Sequence, residues 1–359
     1  MNAATTGRTV AQELPAGLAQ DLAQDLAQDL AACDVLLHET VRSPGHPMLT
    51  AVADHLLLAG GKRLRPRLAL LAARFGDPGH PQVVPAAAAV ELLHVASLYH
   101  DDVMDEATLR RGRTSVNTRW SNSVAILAGD YLVARAAELA APLGVPAALA
   151  QARTLQRLVE GQLGETAATG GNAVDAAADA ATDAEERYLR VVADKTAALF
   201  ALAVRLGGDA AGAPAPHVDA LVGYAEELGI AFQLCDDVID LAAPTRRSGK
   251  PAGSDVRQGV LTLPALRALR GRGSRRLRRA LLAGAAGDRA AHRLAVDLVR
   301  RSRGLDEACE EVGRYVGRAR AALLRLPDTP ARQELDRLAL DVARSAASVT
   351  RDAVPCPRR

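Results

Sequence analysis

ELLHVASLYHDDVMD, at residues 91–105, joins an apolar helical run to a cluster of three aspartates. The same design recurs about 135 residues later, where LGIAFQLC leads into DDVID at residues 228–240. Because positions i and i+4 of a helix share a face, the outer aspartates of each cluster can point the same way. Two such stretches predict acidic helix ends that face one cavity. The six aspartates are Asp101, Asp102, Asp105, Asp236, Asp237 and Asp240.

Carboxylates held this close repel each other unless a cation lies between them. Their oxygens are hard ligands of the kind that Mg²⁺ prefers, and Mg²⁺ usually completes its coordination with water and substrate phosphates. The paired clusters therefore predict a diphosphate held by magnesium between two acidic walls. For either cluster taken alone, a solvated and self-paired charged surface is the alternative interpretation.

The composition favours an all-α fold. Of the 359 residues, 49 % are hydrophobic and 3 % are aromatic, with Ala and Leu dominating. Short Gly/Pro breaks at 43–47, 75–81 and 142–146 separate helical periods, and no strand alternation is evident. These features predict a single large helical bundle, with the cavity at its centre.

The repeat LAQDLAQDLAQDL near the N-terminus differs from the rest of the chain. It places Leu18, Leu22, Leu26 and Leu30 on a slowly rotating helical stripe. We interpret residues 1–35 as a low-complexity extension, helical or disordered, to which no chemistry is assigned. Residues 36–359 are then the catalytic domain.

Charge and cysteine content restrict the class of protein. The net charge of +2 excludes a strongly basic nucleic-acid-binding protein. The four cysteines are scattered without a CxxC pair, which indicates reduced thiols and neither a disulfide framework nor a zinc site. No charge-free apolar stretch is long enough to cross a bilayer, and the N-terminus lacks the order of a signal peptide. We therefore expect a cytoplasmic protein with no transmembrane segment.

A basic loop, GGKRLRP at residues 60–66, predicts a second kind of site. Glycines let the backbone approach a ligand, and Lys62, Arg63 and Arg65 offer donors for phosphate oxygens. A diphosphate bound here needs no magnesium, because cations already neutralise it. The sequence thus predicts two diphosphates bound in two different ways, although the loop alone also fits an ordinary charged surface.

Other polar residues are ambiguous when each is considered alone. Lys195 and Thr196 lie in the middle of a helix, where the lysine could reach solvent. Gln233 lies one turn before Asp237 and could bind a ligand or a polar group of the core. Lys250 follows the second cluster and is either a lid lysine or a loop charge.

In order and spacing, GGKRLRP, ELLH–DDVMD–LRRGR, DKT, FQLCDDVID and GKP resemble the motifs of the trans-isoprenyl diphosphate synthases, or polyprenyl synthetases. The resemblance extends from about residue 40 into the C-terminal region. It implies the isoprenoid synthase fold, a homodimer, and elongation of an allylic diphosphate by isopentenyl diphosphate with Mg²⁺, three ions per active site. It is also compatible with transient membrane contact when the product is released.

The resemblance implies roles for individual residues. One set would hold isopentenyl diphosphate without magnesium: Lys62, Arg65, His94 and Arg111. A second set would bind magnesium on either side of the allylic diphosphate: Asp101, Asp102 and Asp105, and opposite them Asp236, Asp237 and Asp240. A third set would grip the allylic diphosphate: Arg110, Lys195, Thr196, Gln233 and Lys250. The predicted catalytic residues among these are Asp101, Asp102, Asp105, Lys195, Asp236 and Asp237.

The chain departs from the family pattern in three places. Thr114 stands where a proline is common, and Ala242, Ala243 and Pro244 replace a frequent glycine–aspartate pair. Val260 stands in GVLTLP where the family usually has a lysine. This last departure removes one candidate contact to the allylic phosphate, so Lys250 is expected to carry more of that role.

Small residues below the first cluster predict a long product. Ala96 and Ser97 lie one turn before Asp101, with Leu93 and Ala89 further down the helix, and no large aromatic side chain floors the cavity there. Because residues one helical turn apart lie on the same face, these small residues leave room below Asp101 for a long chain. We therefore predict a product of about C30 to C50. A shorter geranylgeranyl or farnesyl product is the alternative, since the neighbouring helix could block the cavity lower down.

Two rival functions remain to be separated. A terpene cyclase also ionises an allylic diphosphate with magnesium, but it steers cyclic cations with aromatic faces, and this chain has three Phe, five Tyr and one Trp. A non-catalytic partner subunit typically loses an aspartate cluster, whereas both clusters are intact here. Activity of the chain expressed alone would separate the second rival from the synthase.

Overall fold

Long helices dominate the computed structural model, which describes residues 16–167, 174, 181–242, 253–271 and 274–353. The all-α prediction is confirmed. The helices are α1 (Ala16–Thr40), α2 (Pro47–Ala53), α3 (Leu64–Ala73), α4 (Val83–Met104), α5 (Val116–Arg119), α6 (Asn122–Ala140), α7 (Val145–Ala167), α8 (Ala181–Val192), α9 (Ala198–Ala210), α10 (Ala215–Ala242), α11 (Ser254–Gln258), α12 (Leu263–Leu269), α13 (Ser274–Ala285), α14 (Arg289–Arg300), α15 (Arg303–Leu323) and α16 (Pro330–Ala353).

Three short segments complete the described elements. A 3₁₀ turn (Ala141–Leu143) joins α6 to α7, and a π-helical segment (Ala193–Ala197) joins α8 to α9. Strands β1 (Leu109–Arg110) and β2 (Arg113–Thr114) pair as an antiparallel hairpin directly after α4. The turn residues Arg111 and Gly112 have φ values of 50° and 75°, as a tight hairpin turn requires.

The core is built around α4, α9 and α10, which carry the largest fully buried side chains. Tyr99, Phe200 and Tyr224 are completely buried, and each tyrosine satisfies its hydroxyl within the core. Tyr99 donates to the carbonyl of Val52 at 2.7 Å, and Tyr224 donates to that of Leu335 at 2.7 Å. These bonds tie α4 and α10, the two helices that carry the aspartates, to their neighbours.

Helix α4 is also long and apolar enough to cross a bilayer by length and composition. In the structure 67 % of its most apolar window is buried among other helices. A buried helix of this kind meets the same test as a membrane span, because both exclude water from their sides. Its apolar character is therefore that of the central helix of a bundle.

Helix α1 runs across the boundary that the sequence suggested at residue 35. Leu26, Cys33 and Leu37 are buried in the same core as the catalytic helices. Arg74 at the end of α3 pairs with Asp25 and Asp29 of α1, at 3.2 and 2.6 Å. The LAQD repeat from residue 16 onward is thus an integral helix of the bundle, while residues 1–15 lie outside the described part.

A smaller apolar cluster, formed mainly by α11 to α14, packs against the end of α10. Leu241 and Val256 belong to this second cluster, and both are nearly inaccessible to solvent. Because α11 follows the second aspartate cluster in the chain, this packing brings Ser254 and Asp255 back to the end of α10. It therefore closes one side of the functional site.

Candidate active site

A cavity of about 580 Å³ opens between the ends of α4 and α10. The aspartates near the ends of α4 and α10 form its mouth, and the buried side chains of Leu93, Leu158 and Leu199 form its apolar depth. A cavity of this kind suits a ligand with a charged head and a hydrocarbon tail. The polar lining is Arg65, His94, Ser97, His100, Asp101, Arg110, Gln162, Lys195, Thr196, Gln233, Asp236, Asp237, Asp240, Ser254 and Asp255. The apolar lining is Leu93, Leu98, Met104, Val133, Leu155, Leu158, Val159, Leu199, Phe232 and Ile239.

The three aspartates of the first cluster point in different directions, because successive residues are rotated around the helix axis. Asp101 lines the cavity, and Asp105, one turn later, is exposed at the C-cap of α4. Burial raises the pKa of Asp101 to about 6; Lys195 opposes this shift and Asp105 adds to it. When burial raises the pKa of a carboxyl group in this way, a nearby cation stabilises its charged form.

Asp102 departs from the sequence expectation, because it is fully buried and turned away from the cavity. Its Oδ1 accepts a hydrogen bond from Nε of Arg110 at 2.6 Å, and Nη2 of the same guanidinium lies 2.6 Å from that oxygen. Its Oδ2 has no hydrogen-bond partner among the described residues. Adjacent positions on a helix differ by about 100°, and here that rotation turns Asp102 into the core while Asp101 lines the cavity. Asp102 therefore positions Arg110, which does line the cavity.

In the second cluster all three aspartates line the cavity, but their surroundings differ. Asp236 is exposed. Asp237 is 4 % exposed and accepts hydrogen bonds from Tyr188 and from Gln233, the latter at 3.0 Å. Burial, followed by the charge of Asp255, raises the pKa of Asp237 to about 8. Asp237 is thus held within the protein, while Asp236 faces the open mouth.

Asp240 is bound to the segment that returns at α11. Its Oδ1 accepts a hydrogen bond from Ser254 Oγ at 2.7 Å, and its Oδ2 accepts one from the amide of Asp255 at 3.4 Å. The carboxylate therefore fixes the start of α11 against α10, as acidic groups do at helix N-termini.

Lys195 lies in the π-helical segment, a type of distortion that is frequent at functional sites. Gly161 of α7 allows this close approach, since a Cβ there would lie 3.0 Å from the amide nitrogen of Lys195. Burial lowers the pKa of the ammonium, but Glu165 and Asp101 outweigh it and raise the pKa above its ordinary value. Lys195 is paired with Glu165 and faces the cavity, with 26 % of its side chain exposed.

A short chain of hydrogen bonds links the π-helical segment to the second cluster. Thr196 Oγ1 donates to Gln233 Oε1 at 3.0 Å, and Gln233 Nε2 donates to Asp237 Oδ1 at 3.0 Å. All three residues line the cavity. The structure thus brings together the threonine, the glutamine and the aspartate that the sequence could link only by resemblance.

On the opposite side, Arg65 and His94 give the cavity a basic wall. Burial lowers the pKa of Arg65 to about 10, which leaves the guanidinium charged at neutral pH. Its Nε is buried without a partner in the described structure, and its head lies 5.2 Å from the Phe200 ring. Burial, then the charges of Arg65 and Arg111, hold the pKa of His94 well below its ordinary range. His94 is therefore a neutral hydrogen-bonding group.

Two predicted ligands of the basic site do not line the cavity. Lys62 is exposed in the loop before α3. Arg111 lies beneath that loop and donates to the carbonyl of Gly60 at 2.7 Å. Lys250, Ala243 and Pro244 lie outside the described residues. Ala96 is 1 % exposed and packs in the core, whereas its neighbour Ser97 lines the cavity.

Several cavity residues went unnoticed in the sequence. Gln162 lines the cavity with Oε1 buried and unpaired by any described group, and Glu165 holds Lys195. The only hint in the sequence was the polar segment GQLGE at 161–165. Tyr188 gave no signal, because only the fold brings it to Asp237.

The donor set fits a hard cation that is shared with a ligand. Carboxylate oxygens of Asp101, Asp105 and Asp236 lie near the two helix ends, and oxygens of this kind are the ligands that hard divalent cations prefer. Within the described residues, no group of three or more His, Cys, Asp or Glu side chains forms a metal site by itself.

Comparison with known proteins agrees with this geometry. The sequence profile described as Polyprenyl synthetase matches residues 46–298. A nonaprenyl diphosphate synthase of Mycobacterium tuberculosis is 46 % identical over 286 residues, which cover 79 % of this chain and 83 % of the relative. A decaprenyl diphosphate synthase of Rhodobacter capsulatus superposes with a TM-score of 0.81 at 38 % identity, covering 91 % of this chain and 99 % of that structure.

A second structure was determined with ligands. The polyprenyl synthase of Caulobacter crescentus, complexed with calcium and isoprenyl diphosphate, has a TM-score of 0.81 and 34 % identity, and covers 91 % of this chain and 97 % of that one. The family profile matches well over half of the chain, and the relative and both structures are more than 30 % identical to it over most of their length. The chain therefore belongs to the polyprenyl synthetase family, whose members are chain-elongating prenyltransferases.

Proposed function

We propose that the protein condenses isopentenyl diphosphate with an allylic diphosphate and makes a polyprenyl diphosphate of about C30 to C50. The observation that carries this proposal is the single cavity with three kinds of wall. Both aspartate clusters meet at its mouth, Arg65 and His94 form its basic side, and buried leucine side chains line its depth. A synthase of this kind needs all three, one for each diphosphate and one for the growing chain.

The acidic mouth is proposed to hold the allylic diphosphate together with Mg²⁺, three ions per site. Asp101, Asp105 and Asp236 would supply the ligand oxygens, with Asp240 completing the second wall. When bound, the metal ions would neutralise the negative charge that develops on the leaving diphosphate. The bound calcium and isoprenyl diphosphate of the Caulobacter crescentus relative support a divalent ion at this site.

The cationic and amide side chains of the cavity are proposed to grip the same diphosphate. Lys195 and Arg110 offer charged donors, and Thr196 and Gln233 offer neutral ones. Asp102 and Asp237 act indirectly, since Asp102 orients Arg110 and Asp237 orients Gln233. Lys250, outside the described residues, stays a prediction for this group.

Isopentenyl diphosphate is proposed to lie on the basic side without a metal ion. Arg65 would donate from a guanidinium whose Nε is unpaired within the described chain, and neutral His94 would donate one hydrogen bond. Lys62, which is exposed, would reach the diphosphate from the loop. Arg111 supports the loop from below.

The reaction then follows from this placement. The allylic C–O bond breaks, and its electron pair leaves with the diphosphate held at the acidic mouth. The double bond of isopentenyl diphosphate forms the new C–C bond to the allylic cation, and a proton leaves to restore an alkene, with the released diphosphate as the acceptor. Fixed charges at the mouth stabilise the leaving group, and the apolar depth excludes water from the cation.

The long product is supported by Ser97 at the top of the apolar depth and by the relatives. The matched enzymes of Mycobacterium tuberculosis and Rhodobacter capsulatus are named for nonaprenyl and decaprenyl products. Below Ser97 the cavity continues along Leu93, Leu155 and Leu158. A geranylgeranyl or farnesyl product is the alternative, if these side chains end the cavity early.

One incubation tests the proposal. The purified chain alone is given Mg²⁺, isopentenyl diphosphate and allylic primers of several lengths, and the products are sized. We expect a polyprenyl diphosphate of at least C30. Products that stop at C15 or C20 contradict the long-chain proposal. Cyclic hydrocarbon formed without isopentenyl diphosphate indicates a cyclase, and no turnover by the chain alone indicates a partner subunit.

The stabilising effect of Mg²⁺ with inorganic diphosphate is expected to depend on pH. In the metal-free protein the pKa of Asp101 rises from 3.8 to about 6, so its contribution to stability is present below its ordinary pKa and is lost as the pH rises through 6. Metal ions bind the deprotonated form, so they should raise Tm more at about pH 8 than at about pH 5. Thermal denaturation with Mg²⁺ and diphosphate, against EDTA, measures the difference.

The pH effect has an internal control. Asp101→Asn carries no titrating group at that position, so its Tm gain should vary less with pH than that of the unmodified protein. An equal gain at both pH values in the unmodified protein would show that Asp101 is not a ligand.

A homodimer is proposed from the family, and the exposed apolar side chains of α6 and α7 support it. Leu127 of α6 is 65 % exposed, and Leu163 of α7 is 65 % exposed. Light scattering should give about twice the chain mass of 37.6 kDa. Leu127→Glu should shift the mass toward the monomer, whereas Leu324→Glu, at a leucine that is 78 % exposed on another surface, should not. A monomeric unmodified protein contradicts the proposal.

The location in the cell is also proposed. A cytoplasmic protein is supported by the buried thiols of Cys33 and Cys235, neither of which forms a disulfide in the described chain. Release of a long-chain product would then involve transient contact with a membrane. Fractionation of cells that express the full chain, followed by assay of both fractions, tests this location.

A further inference from the structure

Arg63 belongs to the basic loop, yet its side chain points away from the cavity. The guanidinium donates from Nε to Asp34 Oδ1 at 2.7 Å, from Nη1 to Glu91 Oε1 at 3.0 Å, and from Nη2 to the carbonyl of Leu57 at 3.3 Å. Its side chain is 9 % exposed, and its φ is 46°, a strained value for a residue with a side chain. These contacts hold Arg63 in place between Lys62 and Arg65.

Glu91 is the buried acid at the centre of this arrangement. It is 2 % exposed and lies on α4 three residues before His94. Besides Arg63, its Oε1 lies 4.0 Å from Nη2 of Arg111, and its charge raises the pKa of Arg65 against the effect of burial. A single carboxylate therefore offsets the mutual repulsion of three arginines.

The same carboxylate fixes the loop through Arg111. The Nη1 of Arg111 donates to the carbonyls of Gly60 at 2.7 Å and Leu56 at 3.4 Å. A Cβ on Gly61 would lie 3.2 Å from that nitrogen, so a side chain at this position would press on the guanidinium. Glu91 thus anchors the loop from two sides, through Arg63 above it and Arg111 below.

Helix α1 supplies the remaining partner. Asp34 is the residue of α1 that reaches Arg63, and it precedes residue 46, where the family profile begins to match. Asp25 and Asp29 on the same helix pair instead with Arg74, at the far end of α3. The N-terminal helix is therefore connected by separate ion pairs to the basic loop and to a position remote from the cavity.

The structure assigns Asp34 and Glu91 as positioning residues of the isopentenyl diphosphate site, which they act on through Arg63 and Arg111. This assignment rests on the proposed function, because it takes the basic side of the cavity as the metal-free diphosphate site. Neither carboxylate touches the cavity, so neither acts on substrate directly. Together they keep Lys62 and Arg65 at a fixed separation and prevent the arginines from spreading apart.

The test measures the binding of isopentenyl diphosphate to the full chain by calorimetry in EDTA, where the acidic mouth cannot contribute, together with steady-state kinetics in Mg²⁺. By analogy with groups that orient ligands from outside a site, Glu91→Gln should weaken this binding about 10-fold or more and Asp34→Asn about 5-fold. KM for isopentenyl diphosphate should rise in parallel. KM for the allylic substrate and kcat at saturation should change by less than about 2-fold.

Asp29→Asn is the matched control, because it removes an ion pair of similar length from the same helix without touching Arg63. It should leave both KM values unchanged while costing similar stability. Asp34 is 46 % exposed, so Asp34→Asn is expected to fold. If Glu91→Gln does not fold, the result for Asp34→Asn alone tests the assignment. Unchanged isopentenyl diphosphate binding in a folded variant, or equal losses for both substrates, overturns the assignment. Failure of the unmodified chain to bind isopentenyl diphosphate would instead reject the proposed function.

Discussion

Asp101→Asn is expected to lower kcat/KM by about 10³-fold or more, equivalent to about 4 kcal/mol of transition-state stabilisation. Asp101 lines the mouth of the cavity, and burial raises the pKa of its carboxyl to about 6. Asparagine keeps the shape and one acceptor oxygen but loses the charge that a divalent ion requires. The loss should fall on kcat as well as on KM, because the charge on the leaving group develops only as the C–O bond breaks.

The comparison variants separate direct from indirect roles. Asp236→Asn, at the opposite wall, should cause a loss of similar size. Asp102→Asn should cause a smaller loss, since Asp102 acts by orienting Arg110 at 2.6 Å. Asp219→Asn, at a surface carboxylate that is 63 % exposed, should have no effect. Activity of Asp101→Asn above one tenth of the unmodified protein would show that the first wall is not a metal ligand.

Ser97→Phe is expected to shorten the product from about C30–C50 to about C15–C20, the second large effect. Ser97 lines the cavity one turn below Asp101, and its hydroxyl donates to the carbonyl of His94 at 2.8 Å, so the side chain is small and held close to α4. A phenyl ring at this position would fill the cavity where the growing chain must pass. Sizing the products by chromatography measures the change.

The adjacent residue provides a contrast that the sequence could not supply. Ala96 is 1 % exposed and does not line the cavity, so Ala96→Phe should lower Tm and the yield of folded protein more than it shortens the product. Ser97→Ala should leave the product length unchanged. An unaltered product distribution in Ser97→Phe would mean that the chain grows along another path.

The fold followed from the sequence because its determinants are local and repeated. Helical periods with an Ala- and Leu-rich composition predicted a bundle, and the two apolar stretches that end in aspartates became the central helices α4 and α10. The extent of α1 was harder to predict. Its LAQD repeat has no local feature that distinguishes a packed helix from a free one, and only contact of Leu26 and Leu37 with the rest of the core decided it.

The sequence predicted those site residues that residue type and spacing could identify. Asp101, Lys195, Gln233 and Asp236 were identified and do line one cavity. Gln162, Glu165 and Tyr188 were not identified, because their relevance depends on which helix lies opposite them. Distances between helices are set by packing, and no spacing within one helix reports them.

Sequence by itself determined the two acidic helix ends, the basic loop and their chemistry, because these depend on side-chain type and on the period of the helix. Only the tertiary structure decided which charges serve the ligand and which serve the protein. Arg63 and Asp102 have the same charges as Arg65 and Asp101 nearby, yet Arg63 binds Asp34 and Glu91, and Asp102 binds Arg110. The physical reason is pairing, since a buried charge that already has its partner inside the fold is unavailable to substrate.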